Sequence, residues 1–227
     1  MPKGSEALTN ARKDEIIDAC AALYETMGFR DITIRDIGAK TSFTRTSIYN
    51  YFQTKEEIFL ALLQREHELW TADLEELARR DDPLSAEQFA DGLARTLDGR
   101  GCMLKLMSMN LYDMEGNSRL ENLVAFKRAY AGALRAVTHC LERFFPGMTV
   151  GDVQSFLYAF FPFLFGVYPY STHTGKQLEA MALAHVDYIH YSSYELVRSF
   201  VYNMLQPFSG VIGDEGAKPR EETRESG

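Results

Sequence analysis

The side chains best suited to binding chemistry cluster in residues 33–55, where hydroxyl, amide, phenol and guanidinium groups follow one another closely. Thr33 and Thr44 can each begin a helix there, because a threonine oxygen accepts a backbone N–H that the first helical turn leaves unpaired. Only Thr41 to Phe43 remain for the turn between these two short helices. An amphipathic helix precedes them, so the segment predicts a helix-turn-helix unit whose second helix fits a DNA major groove, roughly 12 Å wide.

The second of these helices begins with polar residues that suit contacts with DNA. The first residues of such a helix meet base edges, and its free N–H groups favour phosphate. Lys55 directly follows a predicted cap at Thr54, so its cation lies at the positive end of a helix and suits a backbone phosphate. The candidate DNA contacts from this pattern are Thr44, Arg45, Thr46, Ser47, Tyr49, Asn50 and Lys55.

Charge is distributed unevenly along the sequence. The formal net charge is -8 and the pI is near 5.2. A negative net charge disfavours indiscriminate binding to polyanions such as nucleic acids. Residues 1–55 carry eight Lys or Arg against seven Asp or Glu, giving +1, whereas residues 56–227 carry 16 against 25, giving -9. Within residues 33–55 the balance is +3. The charge is therefore compatible with a small, locally basic face that binds a specific site.

The composition of the 227 residues, 46% hydrophobic and 25% charged, is that of a globular protein. The three cysteines Cys20, Cys102 and Cys140 lie far apart, so neither a disulfide framework nor a zinc site is indicated, and we expect no metal and no cofactor. Residues 1–15 mix charged side chains without an apolar run, so we expect no signal peptide. The most apolar stretch, Phe156–Tyr170, has 15 residues, short of the roughly 18 to 20 that span a bilayer. We expect a soluble, cytoplasmic protein.

The fold class predicted by the pattern of apolar residues is all-α. Helical spacing recurs from Asn10 to about Met204, and strand signals are nearly absent. A capping box of Thr54 and Glu57 is expected to open a long helix that ends near Arg80. Its apolar stripe is predicted to contain Ile58, Leu62, Leu69, Trp70, Leu74 and Leu77.

Four later helices are indicated. They are predicted from a capping box of Ser85 and Gln88, a capping box of Ser118 and Glu121, an apolar run over about 150–168, and a second run over about 176–205. Pro162 should kink or interrupt the third of them, because proline removes a donor and clashes with the preceding turn. The last should carry one stripe, formed by Leu178, Met181, His185, Tyr188, Ser192 and Leu196. Residues 208–227 have almost no large apolar side chains and are predicted to be disordered.

The N-terminal segment resembles the tetracycline-repressor (TetR) family of bacterial transcriptional regulators. The resemblance covers about Ile16 to Leu62 and is carried by Ile16-Ile17-Asp18-Ala19, Gly28-Phe29, Thr33-Ile34-Arg35-Asp36-Ile37, Ile48-Tyr49-Asn50-Tyr51-Phe52 and Lys55-Glu56. Two departures concern the DNA sequence that is read rather than the fold. Ser42 and Phe43 stand where the family commonly has glycine and a small aliphatic residue, and Thr46 occupies the small position inside the recognition helix.

The resemblance implies an all-helical homodimer that binds a palindromic operator. It divides the chain into a DNA-binding domain at residues 1–53, a ligand-binding and dimerisation domain at 54–207, and the tail. The last two helices would pair with their counterparts in the dimer. The family's DNA contacts correspond to Thr33, Arg45, Thr46, Tyr49, Asn50, Tyr51 and Lys55. Thr33 and Tyr51 are equally compatible with a helix cap and a packing residue.

The second domain has more aromatic and methionine side chains than a thin helical layer requires. They are compatible with a mainly apolar pocket for an apolar or aromatic effector, although each one is also compatible with plain core packing. The candidate ligand residues are Trp70, Met103, Met107, Phe126, Tyr130, His139, Tyr158, Phe161 and Phe165.

Two functions remain open at this level. The first is a ligand-responsive transcriptional regulator, most often a repressor in the family, in which an effector moves the helix between Thr54 and Arg80. The second is an all-α small-molecule-binding protein or enzyme with a structural N-terminal domain. Catalytic signatures are missing, because the chain has no G-x-S-x-G, no phosphate-binding loop and no H-E-x-x-H, so we expect no enzyme and no catalytic residue. His185 and His190 are five apart and do not share a helix face as metal ligands would.

Overall fold

The structure is a computed structural model that describes residues 3–109 and 111–208, and within these ranges every regular element is helical. The elements, in chain order, are α1 (Lys3–Tyr24), α2 (Ile34–Gly38), α3 (Arg45–Ile48), α4 (Lys55–Ala78), α5 (Ala86–Asp98), α6 (Gly101–Met107), α7 (Leu111–Gly116), α8 (Leu120–Phe144), α9 (Val150–Ser171), α10 (Gly175–Leu183) and α11 (Ser193–Leu205). A short 3-10 turn, Gln206–Phe208, follows. The all-α prediction is confirmed.

The first three helices pack around a small apolar core. Ile16 and Cys20 on α1, Ile37 on α2 and Ile48 on α3 are each fully buried, and Phe52 closes the core below α3. This burial fixes the outward direction of the polar residues between them, because positions next to Ile48 on a one-turn helix cannot also face the core. The apolar spacing of the sequence therefore sets which side of α3 is presented to solvent.

The long helix α4 connects this unit to the rest of the molecule and packs most extensively against α8. Trp70 is fully buried at its centre, and its indole N–H donates to Thr96 Oγ1 at 2.9 Å. Leu69, predicted on the same stripe, is 48% exposed. A helix turns by about 100° per residue, so Leu69 and Trp70 cannot share one face, and the larger side chain takes the buried position.

The helix caps agree with the sequence in part. Ser85 and Gln88 form the expected capping box at α5. At α4 only half of the predicted box forms, because Thr54 Oγ1 accepts from the Glu57 N–H while the Glu57 carboxylate is bonded elsewhere. The box of Ser118 and Glu121 was wrong. The Ser118 hydroxyl donates to the Met114 carbonyl at 2.7 Å, which completes the preceding turn, and Arg119 becomes the N-cap of α8.

The single helix predicted over 176–205 was also wrong, since the chain forms α10, an irregular segment and then α11. His185 adopts φ 53°, and the N–H of Val186 donates to the Met181 carbonyl at 3.0 Å, so a left-handed residue terminates α10. A capping box of Ser192 and Glu195 then starts α11. The predicted stripe from Leu178 to Leu196 is divided between two helices. Residues 209–227, which include nearly all of the predicted disordered tail, lie outside the described residues.

Helix α9 is longer than the sequence suggested. It runs for 22 residues and continues through Pro162 and Pro169, so Pro162 does not interrupt it. By length and composition it is the one helix among the described residues that suits a membrane crossing, with mean hydropathy 1.4 over its most apolar window. The apolar stretch of 15 residues is thus part of a longer helix, and its length alone does not exclude a membrane crossing. One face of α9, including Phe156, Phe160 and Leu164, is buried in the helical core.

Candidate DNA-binding surface and ligand cavity

The candidate recognition helix, α3, is a single turn that begins at Arg45. Thr44 lies at its N-cap position, but its hydroxyl pairs with Ser47 Oγ at 3.1 Å instead of bonding a backbone N–H. Thr44, Thr46 and Asn50 are exposed, and Tyr49 is 44% exposed. Hydroxyl, phenol and amide groups thus lie together on one solvent-facing surface, with the side-chain types that hydrogen-bond base edges and phosphates.

The turn before α3 is held by two side chains of α1. The Glu15 carboxylate accepts hydrogen bonds from the backbone N–H and the hydroxyl of Ser42, and these bonds lower the Glu15 pKa, the backbone bond most strongly. The ring of Phe43 packs beside Tyr51 and under the Arg12 guanidinium, which lies 4.9 Å from the ring centroid. Ser42 and Phe43, the departures from the family pattern, therefore hold the turn between α2 and α3 against α1.

Thr33, Lys55 and Tyr51, which are predicted DNA contacts, also make contacts that hold the N-terminal helices together. Thr33 caps α2 in a box with Asp36, and the bonds from its hydroxyl and its N–H lower the Asp36 pKa. Lys55 Nζ donates to the Phe29 carbonyl at 2.8 Å and lies 4.2 Å from the centroid of the Phe29 ring. An ammonium group has three donors, so Lys55 retains two for another partner. The Tyr51 side chain is half-buried against Phe43.

An ion pair between the buried Glu57 and the partly exposed Arg119 joins the end of the helix-turn-helix unit to α8. Arg119 donates to both carboxylate oxygens of Glu57, from Nε at 2.7 Å and from an Nη at 3.0 Å, and the same Nη donates to the Tyr51 carbonyl. The Glu57 side chain is only 1% exposed. Burial raises the Glu57 pKa, but the bonds from Arg119 and from the Gln53 and Arg119 N–H groups outweigh it and hold the pKa at about 2.

A second contact ties α6 to the end of α1. Lys105 Nζ donates to the carbonyls of Tyr24 and Met27, and it lies 3.9 Å from the centroid of the Tyr24 ring. A cation at the negative end of a helix is stabilised by the unpaired carbonyls there. Burial lowers the Lys105 pKa. Lys105 and Arg119, which belong to the later helices, therefore contact the N-terminal unit at two separate points.

A cavity of about 150 Å³ lies between α4 and α8, below the long helix. Its walls include the predicted ligand residues Met107, Phe126, Tyr130 and Phe165. His67 also lines it, and Lys127 and Glu115 line it as a pair 2.7 Å apart. Two of its lining residues, Met107 and Glu115, lie in the sequence between Lys105 and Arg119, the two residues that contact the N-terminal unit.

The other predicted ligand residues have different positions. Tyr158, Phe161 and Tyr130 border a more open groove of about 430 Å³ between α8 and α9. Trp70 and Met103 are buried in the core and line neither space. His139 is exposed on α8, and it too lines neither, because helical spacing places it on the opposite side from the buried Cys140 and Val137.

Four residues at these contacts were not among the predicted site residues: Glu57, which was expected only as a capping partner of Thr54, and His67, Lys105 and Arg119. Only His67 carried a usable signal. It follows Leu63 by four residues and precedes Trp70 by three, which is the buried register of α4. A histidine at such a position must find partners for its nitrogens inside the protein.

Two family descriptions match the chain. Residues 16–62 match the one given as bacterial regulatory proteins, tetR family, and residues 64–211 match the tetracyclin repressor-like C-terminal domain. A curated relative, the uncharacterized HTH-type transcriptional regulator YfiR of Bacillus subtilis (strain 168), is 29% identical over 63 residues. That alignment spans 28% of this chain and 31% of the relative, so the chain matches less than a third of the relative's length.

Solved structures resemble the whole fold at low identity. A TetR family transcriptional regulator, PfmR from Thermus thermophilus, has a TM-score of 0.55 and 15% identity, covering 84% of this chain and 96% of PfmR. The transcriptional regulator FadR from Bacillus subtilis, solved in complex with stearoyl-CoA, has a TM-score of 0.50 and 16% identity, covering 88% of this chain and 98% of FadR. The helical fold shared with these structures therefore covers most of the chain and not only the helix-turn-helix unit. With both family matches in place, the chain belongs to the TetR family of bacterial regulatory proteins, the DNA-binding transcriptional regulators that its N-terminal segment resembles.

Proposed function

We propose that this protein is a cytoplasmic, homodimeric repressor that binds a near-palindromic operator through α3 and leaves it when a small apolar molecule enters the cavity below α4. The observation that carries the proposal is the exposed polar surface of α3, which stands on a helix-turn-helix core directly joined to a cavity-bearing helical body. Residues 1–53 would bind DNA, and residues 54–207 would bind the effector and form the dimer.

The proposed DNA contacts divide into two kinds. Arg45, Thr46, Tyr49 and Asn50 would meet base edges, because the first residues of a recognition helix enter the major groove. Thr33, Thr44, Ser47, Tyr51 and Lys55 would position the protein on phosphates, with Lys55 using the donors that the Phe29 carbonyl leaves unoccupied. Exposed cations at Arg35 and Lys40 add to the favourable field around this surface.

The effector would act through the helices that both line the cavity and hold the N-terminal unit. A molecule that displaces Met107 or Glu115 would also displace the neighbouring segments that carry Lys105 and Arg119. Lys105 is bonded to the end of α1, and Arg119 is bonded to the start of α4. Tilting α4 would change the spacing of the two recognition helices in the dimer. To move the population from 99:1 to 1:99, the effector must bind the released state more tightly by about 5.5 kcal/mol.

The dimer would form through α9 and α11, whose exposed faces adjoin where Phe163 stacks on Phe200 with the ring centroids 4.1 Å apart. Tyr158 and Pro162 face solvent on the same stripe of α9. Two-fold pairing of one surface with its own copy explains why a TetR-type operator is near-palindromic.

Gly166 provides a test of this interface, because it lies on that stripe and a Cβ added there meets nothing within 4 Å. Gly166→Glu should leave the fold of each protomer intact, and in the proposed dimer it would bring one added carboxylate from each protomer into the same interface. We expect the dissociation constant of the dimer, measured by light scattering over a range of protein concentrations, to rise tenfold or more in Gly166→Glu. Gly166→Ala should stay dimeric. An unchanged dimer in Gly166→Glu would place the interface elsewhere.

Salt titration of DNA binding tests the regulatory proposal. A dimer that neutralises about six to ten phosphates should lose about 10³-fold or more in affinity between 50 and 200 mM salt. Fluorescence anisotropy with labelled duplex DNA gives this slope directly. Absence of DNA binding even at low salt would instead favour a small-molecule-binding protein with a structural N-terminal domain.

A further inference from the structure

The hydrogen-bonding state of His67 follows from its helix. Nδ1 lies 2.9 Å from the Leu63 carbonyl, and a carbonyl oxygen only accepts, so Nδ1 carries the proton. Burial lowers the His67 pKa, which favours the neutral ring. In a neutral imidazole with the proton on Nδ1, Nε2 is an acceptor with an unshared electron pair. Because Nδ1 is turned toward its own helix, Nε2 lies on the far edge of the ring.

That acceptor has no partner among the described residues. His67 is 1% exposed, so solvent outside the protein does not reach it, and Nε2 is a buried polar atom without a hydrogen bond. The neighbouring rings do not supply a donor. Phe126 has none, the Trp70 indole N–H is already bonded to Thr96, and the Tyr130 ring meets the imidazole edge-on without a hydrogen bond to Nε2. Buried polar groups are normally paired, and His67 lines a cavity, so an occupant of that cavity with a donor group is suited to pair with Nε2.

The cavity also limits the size and charge of its occupant. Its volume of about 150 Å³ is comparable to an engineered apolar cavity, known in another protein, that holds one benzene molecule. The charged side chains among its described walls, Glu115 and Lys127, are paired with each other. The remaining lining is aliphatic or aromatic, apart from His67 and the Tyr130 hydroxyl. A charged molecule would lose its hydration there without gaining an unpaired counter-ion.

We infer that the cavity binds a neutral molecule about the size of one aromatic ring that carries a hydroxyl or N–H group, and that this group donates to Nε2 of His67. The inference rests on the proposed function, because it takes this cavity as the effector site. It makes His67 the residue that determines specificity. A ring whose polar atom only accepts, such as an aryl ether, would place two acceptors face to face and would bind less well.

The test compares phenol with anisole, which keeps the ring and oxygen but has no donor, using the full-length protein. Calorimetry should show phenol binding about tenfold tighter than anisole, the size expected for one hydrogen bond at a buried site. In His67→Phe the preference should disappear. His139→Phe is the matched control, since it makes the same replacement at an exposed histidine of α8 that does not line the cavity, and it should leave the preference unchanged.

The ¹⁵N chemical shift of His67 Nε2 in the unmodified protein gives an independent measurement that does not depend on a variant folding. Phenol should shift it in the direction of an accepted hydrogen bond, and anisole should not. Equal binding of the two probes, or an unmoved Nε2 signal, would overturn the role of His67 while leaving the cavity as a binding site. Binding of neither probe would overturn the inference together with the assignment of the cavity. The salt titration of DNA binding is independent of both results.

Discussion

Arg45→Ala is expected to weaken operator binding by about tenfold to a hundredfold while the fold and the dimer are retained. Arg45 is the first residue of α3, immediately after its N-cap, which is where recognition helices contact base edges. A bidentate arginine–guanine contact contributes about 1–3 kcal/mol of discrimination between bases. Fluorescence anisotropy with operator DNA and with a scrambled duplex measures the effect, and the loss should be larger on the operator.

The matched control is Arg79→Ala, an exposed arginine at the far end of α4 that pairs with Glu75 and Glu76 on the surface. It removes the same charge from the chain but lies about 36 Å along the helix from Lys55, at 1.5 Å per residue over 24 residues. Operator affinity should be unchanged in this variant. Equal losses in both variants would mean that net charge alone determines binding, and no loss in Arg45→Ala would remove Arg45 from the interface.

Lys55→Ala should weaken operator and scrambled DNA alike, because a phosphate contact carries no sequence information. Its ammonium group also holds the Phe29 carbonyl, so the unfolding transition must be measured with the same protein preparation. Losing one phosphate contact is expected to reduce the salt slope by about one. An unchanged slope with lowered thermal stability would leave Lys55 a purely structural role.

Arg119→Met is expected to cost about 3 kcal/mol of unfolding free energy at pH 7, the largest stability effect among the contacts described above. The substitution leaves the Glu57 carboxylate, 1% exposed, without its charged partner. Removing one partner of a buried ion pair typically costs about 3–5 kcal/mol. Urea unfolding at fixed protein concentration measures the change, because the stability of a dimer depends on concentration. The exposed pair of Arg79 gives the control, and Arg79→Met should lose no more than about 1 kcal/mol.

The same ion pair predicts a pH dependence. Folding lowers the Glu57 pKa from 4.5 to about 2, so its contribution is complete above pH 4.5 and disappears as the pH falls toward 2. The difference between the unmodified protein and Arg119→Met should therefore narrow over that interval. A difference that stays constant from pH 7 to pH 2.5 would contradict the assignment of the effect to the Glu57 carboxylate.

The sequence predicted the helix-turn-helix unit well because its signals are local. Thr33 and Ser85 cap the helices expected of them, since each capping partner lies only three residues away. The failures occur where a side chain is recruited by another part of the chain. Ser118 has the spacing of a capping box, yet its hydroxyl completes the turn before it. His185 ends α10 in the left-handed conformation, which is uncommon for residues other than glycine and which helical periodicity does not reveal.

In the candidate site, too, the features with local sequence signals were predictable and the contacts between distant residues were not. The polar surface of α3 was predictable because Ile48 and Phe52 fix which positions face solvent. The contacts that hold this surface in place were not predictable, because Arg119 and Glu57 are 62 positions apart and Lys105 and Tyr24 are 81 apart. Such pairs form only when packing has placed the helices, and one sequence contains no signal for them.

Selection of bound fragments from the source genome tests the central claim most directly. The full-length protein would be incubated with sheared genomic DNA at about 0.15 M salt, and the retained fragments would be sequenced. A helix-turn-helix dimer should enrich a small set of sites with two half-sites about 34–36 Å apart, or a multiple of that spacing. Arg45→Ala should lose the enrichment. Retention of fragments without a shared sequence, or of none above background, would contradict the assignment of this protein as a sequence-specific regulator.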